Sequence, residues 1–166
     1  MAVDANFAHR HQRASGESPY FYTPIIFLSK DEVDAVGEQI IDARKRPAKA
    51  REDSKVPDHA VDACERSFTA ANESAAKTKG ERFDDTGISA LVCRHDIPLF
   101  MCNIDTPGEQ QKYAVALVTK FFENIPESAT ATVLYDIGCV LDRSVRRVMK
   151  LYPIIQSEGA DKAIIT

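Results

Sequence analysis

The sequence predicts a mixed α/β fold, with one sheet holding both an antiparallel hairpin and a parallel crossover. Three observations predict it. Two apolar segments, "GISALVC" (Gly87 to Cys93) and "PLFMCNI" (Pro98 to Ile104), are separated only by "RHDI", a spacing that makes a hairpin. A helical pattern follows from Pro107 to about Asn124, with Tyr113, Leu117, Phe121 and Phe122 on its apolar face. "TATVLYD" (Thr130 to Asp136) is then the clearest strand, and a strand–helix–strand connection sets its two strands parallel through a right-handed crossover.

Taken in order, "MAVDANF" (Met1 to Phe7) reads as a short opening strand, and His9 to Tyr22, rich in Ser, Gly and Pro, as a loop. A brief apolar run, Ile25 to Leu28, precedes Ser29. Glu32 stands three residues after that serine, the capping-box spacing in which each side chain satisfies an orphan backbone N–H. Val33, Val36, Ile40 and Ile41 continue at helical spacing. Arg44 to Lys55 is charged and broken by Pro47, so it reads as a connector. A second helix is expected from about Asp58 to Lys79, and Gly80 to Asp85 should turn the chain into the hairpin. Pro107 suits a helix start, where its missing N–H costs nothing. A last helix is expected from about Val140 to Leu151. The resulting order is strand, long insertion, hairpin, helix, strand, helix, which is the order of an RNase H-like core.

Composition narrows the function classes. The chain has 166 residues and a formal net charge of −4, so there is no overall electrostatic pull towards nucleic acid, and a free-standing basic DNA-binding module is disfavoured. Metal-binding carboxylates remain compatible with that charge. No apolar run is long enough for a membrane span, and Met1 to His11 lacks the basic-then-apolar order of a signal peptide. The expected setting is intracellular and reducing. The four cysteines (Cys64, Cys93, Cys102, Cys139) then favour free thiols or metal ligands over disulfides.

Specific words appear from Phe83 onwards. "FDDTGISALVCRHDIPLFMCNIDTPGEQQKYAVAL" (Phe83 to Leu117) and "VLYDIGCVLDRS" (Val133 to Ser144) contain, in order, a D-x-T-G turn, C-R-H, a G-E-x-x-x-Y helix start and Y-D-I-G-C. With "VDANF" (Val3 to Phe7) and "CERSFTAANE" (Cys64 to Glu73), these closely resemble the KDZ (Kyakuja–Dileera–Zisupton) transposases of eukaryotic mobile elements. The resemblance implies an RNase H-like mixed sheet with a helical insertion between the first and second strands. On that reading residues 1–147 form a partial transposase core with the insertion at about 8–85, and residues 148–166 form a divergent tail.

The resemblance also implies DDE-type chemistry. Three carboxylates hold two Mg²⁺ or Mn²⁺ ions for cleavage and joining of DNA phosphodiesters. Transposon-end DNA would be the partner, with a nuclear or other intracellular location, no membrane association and no indication of oligomeric state. Asp4 matches the first carboxylate; by itself it also reads as a solvated acid near a chain end. Asp136 ends an apolar strand before Ile137 and Gly138 and matches the second, although a helix N-cap would look the same. Glu109 matches the family's "GE" and is a candidate third metal-facing acid; an acid in a helix's first turn also complements its dipole. Asp84 and Asp85 read as turn residues. Cys64, Cys93, His95 and Cys139 offer the thiolate and imidazole donors of a structural Zn²⁺ site, while Cys102 belongs to the core. Arg10, Arg13 and the block Arg44 to Arg51 read either as phosphate contacts or as a solvated face.

A DDE site takes its third acid from a later helix, and Glu158, the only late glutamate, lies in a turn-like stretch. The expectation is therefore a transposase-derived fragment with two catalytic acids, Asp4 and Asp136, and incomplete catalysis. The competing expectation is a non-catalytic, domesticated remnant that binds DNA or a protein partner. A third is a truncated product whose sheet lacks its last strand and exposes an edge.

Overall fold

The computed structural model of the chain describes residues 1–16, 24–45, 57–67, 82–106, 108–126, 128–129, 131–149 and 163–165. In chain order the elements are β1 (Ala2–Asn6), β2 (His11–Gln12), a 3-10 turn (Arg13–Ser15), α1 (Lys30–Arg44), α2 (Asp58–Ser67) and β3 (Phe83–Asp85). There follow β4 (Gly87–Val92), β5 (Pro98–Ile104), α3 (Gln111–Asn124), β6 (Ala131–Val133), α4 (Gly138–Met149) and β7 (Ala163–Ile165).

The fold is mixed α/β. β1, β4 and β5 form an antiparallel sheet in the order β1–β4–β5. The predicted hairpin is present, turning through Cys93 to Ile97, where the Cys93 N–H donates to Ile97 O at 3.0 Å. Asp96 there has φ 60°, a left-handed conformation that a short polar side chain tolerates. The free edge of β1 is taken by the chain after β6. Leu134 N–H donates to Met1 O at 2.8 Å, Val3 N–H donates to Leu134 O at 3.0 Å, and the bridge is parallel. β7 in turn pairs parallel with β6. The outer edge of β5 is covered by residues 26–28, with Leu28 N–H on Met101 O and Met101 N–H on Ile26 O, both 2.8 Å.

The helices stack on one face. Val3, Ser89, Leu91, Cys102, Ile104 and Val133 are buried, and α3 lies over β4 and β5, with α1 and α4 packed against α3. Residues Tyr113 through Thr119 are all buried, because α3 is enclosed by the sheet on one side and helices on others; a surface helix would bury only a stripe. The capping box of α1 forms as expected: Ser29 N–H donates to Glu32 Oε2 at 2.8 Å and Glu32 N–H to Ser29 Oγ at 3.3 Å.

Several boundaries differ from expectation. His9 to Tyr22 was expected as a loop and Gly80 to Asp85 as a turn, yet β2 and β3 pair there, His11 opposite Asp85. The β1–β4 ladder resumes beyond an interruption, in segments too short and polar to show alternation. α3 starts at Gln111 rather than Pro107, since Gly108 has φ 78°, outside the right-handed helical region. α4 starts at Gly138, two residues before the expected Val140. β6 stops at Val133, so Asp136 stands in the turn beyond the strand and not on it. The sequence showed no strand within 148–166, where β7 lies. The expected second helix agrees with α2 as far as Ser67; residues 68–81, Arg46 to Arg51 and Glu158 lie outside the described residues.

Candidate functional site

Asp4 and Asp136 are brought to equivalent places on adjoining chains. At the Ala2–Leu134 bridge the two backbones run parallel, about 4.8 Å apart, the usual strand spacing. Each acid follows its bridged residue by two positions, and although Asp136 lies in the turn after β6, the burial alternation runs on through it, with Val133 and Tyr135 buried and Leu134 and Asp136 exposed. Val3 and Val133 face the helices, while Asp4 and Asp136 are both exposed. Each carboxylate is oriented by the next backbone N–H, Ala5 to Asp4 Oδ1 at 2.8 Å and Ile137 to Asp136 Oδ1 at 2.9 Å.

Glu109 joins them from the β5–α3 connection. It lies before the α3 N-cap, Gln110, so it does not occupy the first helical turn in which it was expected. Its side chain is only 5% exposed, and the Tyr135 hydroxyl donates to Oε1 at 2.8 Å. Burial pushes the Glu109 carboxyl above the usual range. The Tyr135 hydrogen bond opposes this, and the negative charges of Asp136 and then Asp4 add to it. All three acids therefore share one electrostatic neighbourhood. The Tyr135 phenol is likewise pushed up, by burial first and then by Glu109.

Two sequence words hold the turn that carries Glu109. In D-x-T-G, Thr86 Oγ1 lies 3.0 Å from Ile104 O and 2.9 Å from Thr106 O, so its one hydrogen is shared between them. A Cβ on Gly87 would sit 2.8 Å from Asn6 O and 3.2 Å from Phe7 Cα, so only glycine lets β1 and β4 meet there. In G-E-x-x-x-Y, the Tyr113 hydroxyl donates to Asp105 Oδ1 at 2.7 Å and accepts from the Asp105 and Thr106 N–H groups at 3.2 Å. Its phenol is pushed up to about 12, mainly by burial. Lys112 binds Asp34 at 2.6 Å and Asp105 at 3.5 Å, and Lys30 pairs with the same two acids. Tyr135 was not singled out from the sequence, although its place directly before Asp136 was the available signal.

The proposed zinc donors are only partly together. Cys93 Sγ lies 3.8 Å from His95 Nδ1 in the hairpin turn, and Arg94 Nε donates to His95 Nε2 at 3.2 Å. That turn is at the end of the sheet opposite Asp136, whereas Cys139 opens α4 just past Asp136. The side chains of Cys64 and Cys139 lie outside the described residues. Among the described residues no three His, Cys, Asp or Glu side chains are close enough to hold one ion. Cys102 is fully buried, and burial pushes its thiol up to about 12. Asp84 accepts from Arg13 Nε at 2.7 Å and Asp85 from Asn103 Nδ2 at 2.9 Å, which accounts for both in structural terms.

The family model of the Kyakuja-Dileera-Zisupton transposase matches residues 1–165. The chain belongs to the KDZ transposase family. The KDZ match runs through β7, past the segment at 147 where the family words cease to be evident. No curated protein and no solved structure matched the chain. Among the described residues no helix of this KDZ chain is long and apolar enough to cross a membrane.

Proposed function

We propose that the chain forms the metal-binding part of an RNase H-like DDE nuclease core acting on DNA phosphodiesters, with Asp4 and Asp136 as its first two carboxylates. The observation that carries this reading is the parallel Ala2–Leu134 bridge, from which both acids emerge in step on one side of the sheet. The strand order supports it: an opening strand, an insertion, an antiparallel hairpin, a crossover helix and a strand parallel to the first. Membership of the KDZ family makes DNA the substrate to propose and the nucleus the compartment.

The donor chemistry fits Mg²⁺ or Mn²⁺. Asp4 and Asp136 offer only carboxylate oxygens, which hard divalent cations prefer, and both are exposed, which leaves room for retained water. When bound, two such ions about 4 Å apart stabilise the entering and leaving oxygens of an in-line displacement at phosphorus. The chain's own residues do the rest. Asp4 and Asp136 hold charge at the mouth of the site, kept in orientation by the Ala5 and Ile137 N–H groups. Glu109, whose carboxyl burial pushes above the usual range, is aimed by the Tyr135 hydroxyl. The proposal for this chain is metal binding by the first two DDE carboxylates.

Calorimetric titration with Mn²⁺ tests the reading. The wild-type chain should show a saturable heat that Asp136→Ala abolishes; equal heats from the two proteins would sink the metal site. Metal-dependent nicking of duplex DNA that disappears in Asp4→Ala would extend the reading from metal binding to catalysis.

A further inference from the structure

Past Asn6 the β1–β4 ladder breaks and resumes as the two-stranded β2–β3 ribbon, which extends the sheet in the direction β1 runs from Asp4, at mid-strand opposite Ala90. The strands of this ribbon carry Asp84 and Asp85, and three arginines, Arg10, Arg13 and Arg82, flank them. Arg10 and Arg82 are both exposed, and their guanidinium carbons lie 5.6 Å and 5.9 Å from the centre of the same Phe83 ring. Arg10 Nε donates to Phe7 O at 2.9 Å, which fixes the group while leaving its terminal nitrogens outward. Several other cations are neutralised: Lys112 and Lys30 by Asp34 and Asp105, Lys120 by Glu32, and Arg13 beside the ribbon by Asp84. Among the described residues Arg10 and Arg82 form no ion pair.

We propose that the β2–β3 ribbon is a phosphate-contact strip for duplex DNA, with Arg10 and Arg82 as its contacts and Phe83 as the platform that holds both guanidiniums. This rests on DNA being the substrate of the Asp4–Asp136 site. A duplex that brings a phosphodiester to those acids carries one negative charge per about 1.7 Å of its axis, so flanking phosphates pass beside the ribbon. Cation–π contact with Phe83 restrains both arginines without using their N–H donors, which limits the ordering cost when phosphate binds. The contact is to backbone charge and carries no base preference.

The test is fluorescence anisotropy of a labelled duplex with the full chain in EDTA, over a salt series, so that no metal contributes. The Arg10→Ala/Arg82→Ala double variant should bind about tenfold more weakly or worse, and the slope of log affinity against log salt should fall by about 2, one per lost phosphate contact. Arg94→Ala, in the hairpin turn at the opposite end of the sheet, should bind as wild type does. The strip is overturned if the double variant keeps wild-type affinity and slope, if Arg94→Ala loses as much, or if the wild-type chain binds no duplex. Mn²⁺ calorimetry on the double variant separates the two ideas. Wild-type heat with weakened DNA binding supports the strip independently of the metal site, and loss of that site alone appears in Asp136→Ala with DNA binding in EDTA intact.

Discussion

Glu109 keeps a carboxyl away from water beside two further acids, and that arrangement costs the fold something once the proton leaves. Its folded pKa is raised, so the folded chain holds this proton more tightly than the unfolded one. Stability from this group is full below about pH 4.3, where an unfolded glutamate is protonated. It is lost as pH rises through the folded value. Glu109→Gln keeps the shape and removes the charge. In urea unfolding without divalent metal it should match wild type at low pH and be the more stable protein at neutral pH; a gap that shrinks with rising pH would contradict the burial argument. Gly87 is the opposite case, a position set wholly by space. Gly87→Ala puts a methyl 2.8 Å from Asn6 O, against backbone that cannot yield, and should destabilise by about 1–3 kcal/mol in the same unfolding measurement.

Among the elements, α3 contributes most to the core, and Leu117 sits at its centre with no exposed surface. Leu117→Ala should cost about 2–5 kcal/mol in chemical denaturation, through lost burial and the cavity left behind. This helix was legible in the sequence because its apolar residues recur at helical spacing, and so was α1, because Ser29 and Glu32 announce its start. The hairpin was legible from two apolar runs four residues apart. β2, β3 and β7 were not, since two or three residues cannot display a period and their pairing is inherited from neighbouring ladders. The start of α3 was misplaced because Pro107 is a helix-start residue while Gly108, with its positive φ, overrides it. Asp4 and Asp136 could be chosen from words in the sequence. Tyr135, which aims Glu109, could not, because a buried tyrosine looks like any other core aromatic until its hydroxyl partner is known.

At the scale of the whole molecule, the sheet is assembled from both extremes of the polypeptide. The Met1 ammonium donates to Thr132 O at 2.8 Å across a separation of 131 residues, and Leu134, donating to Met1 O and accepting from Val3 N–H, brings Asp136 level with Asp4. Local contacts reward the hairpin early, but this pairing has to wait until a very long loop closes. A chain still emerging from the ribosome therefore holds Asp4 without its neighbour until residue 136 has been made, and the parallel seam of the sheet cannot close before then.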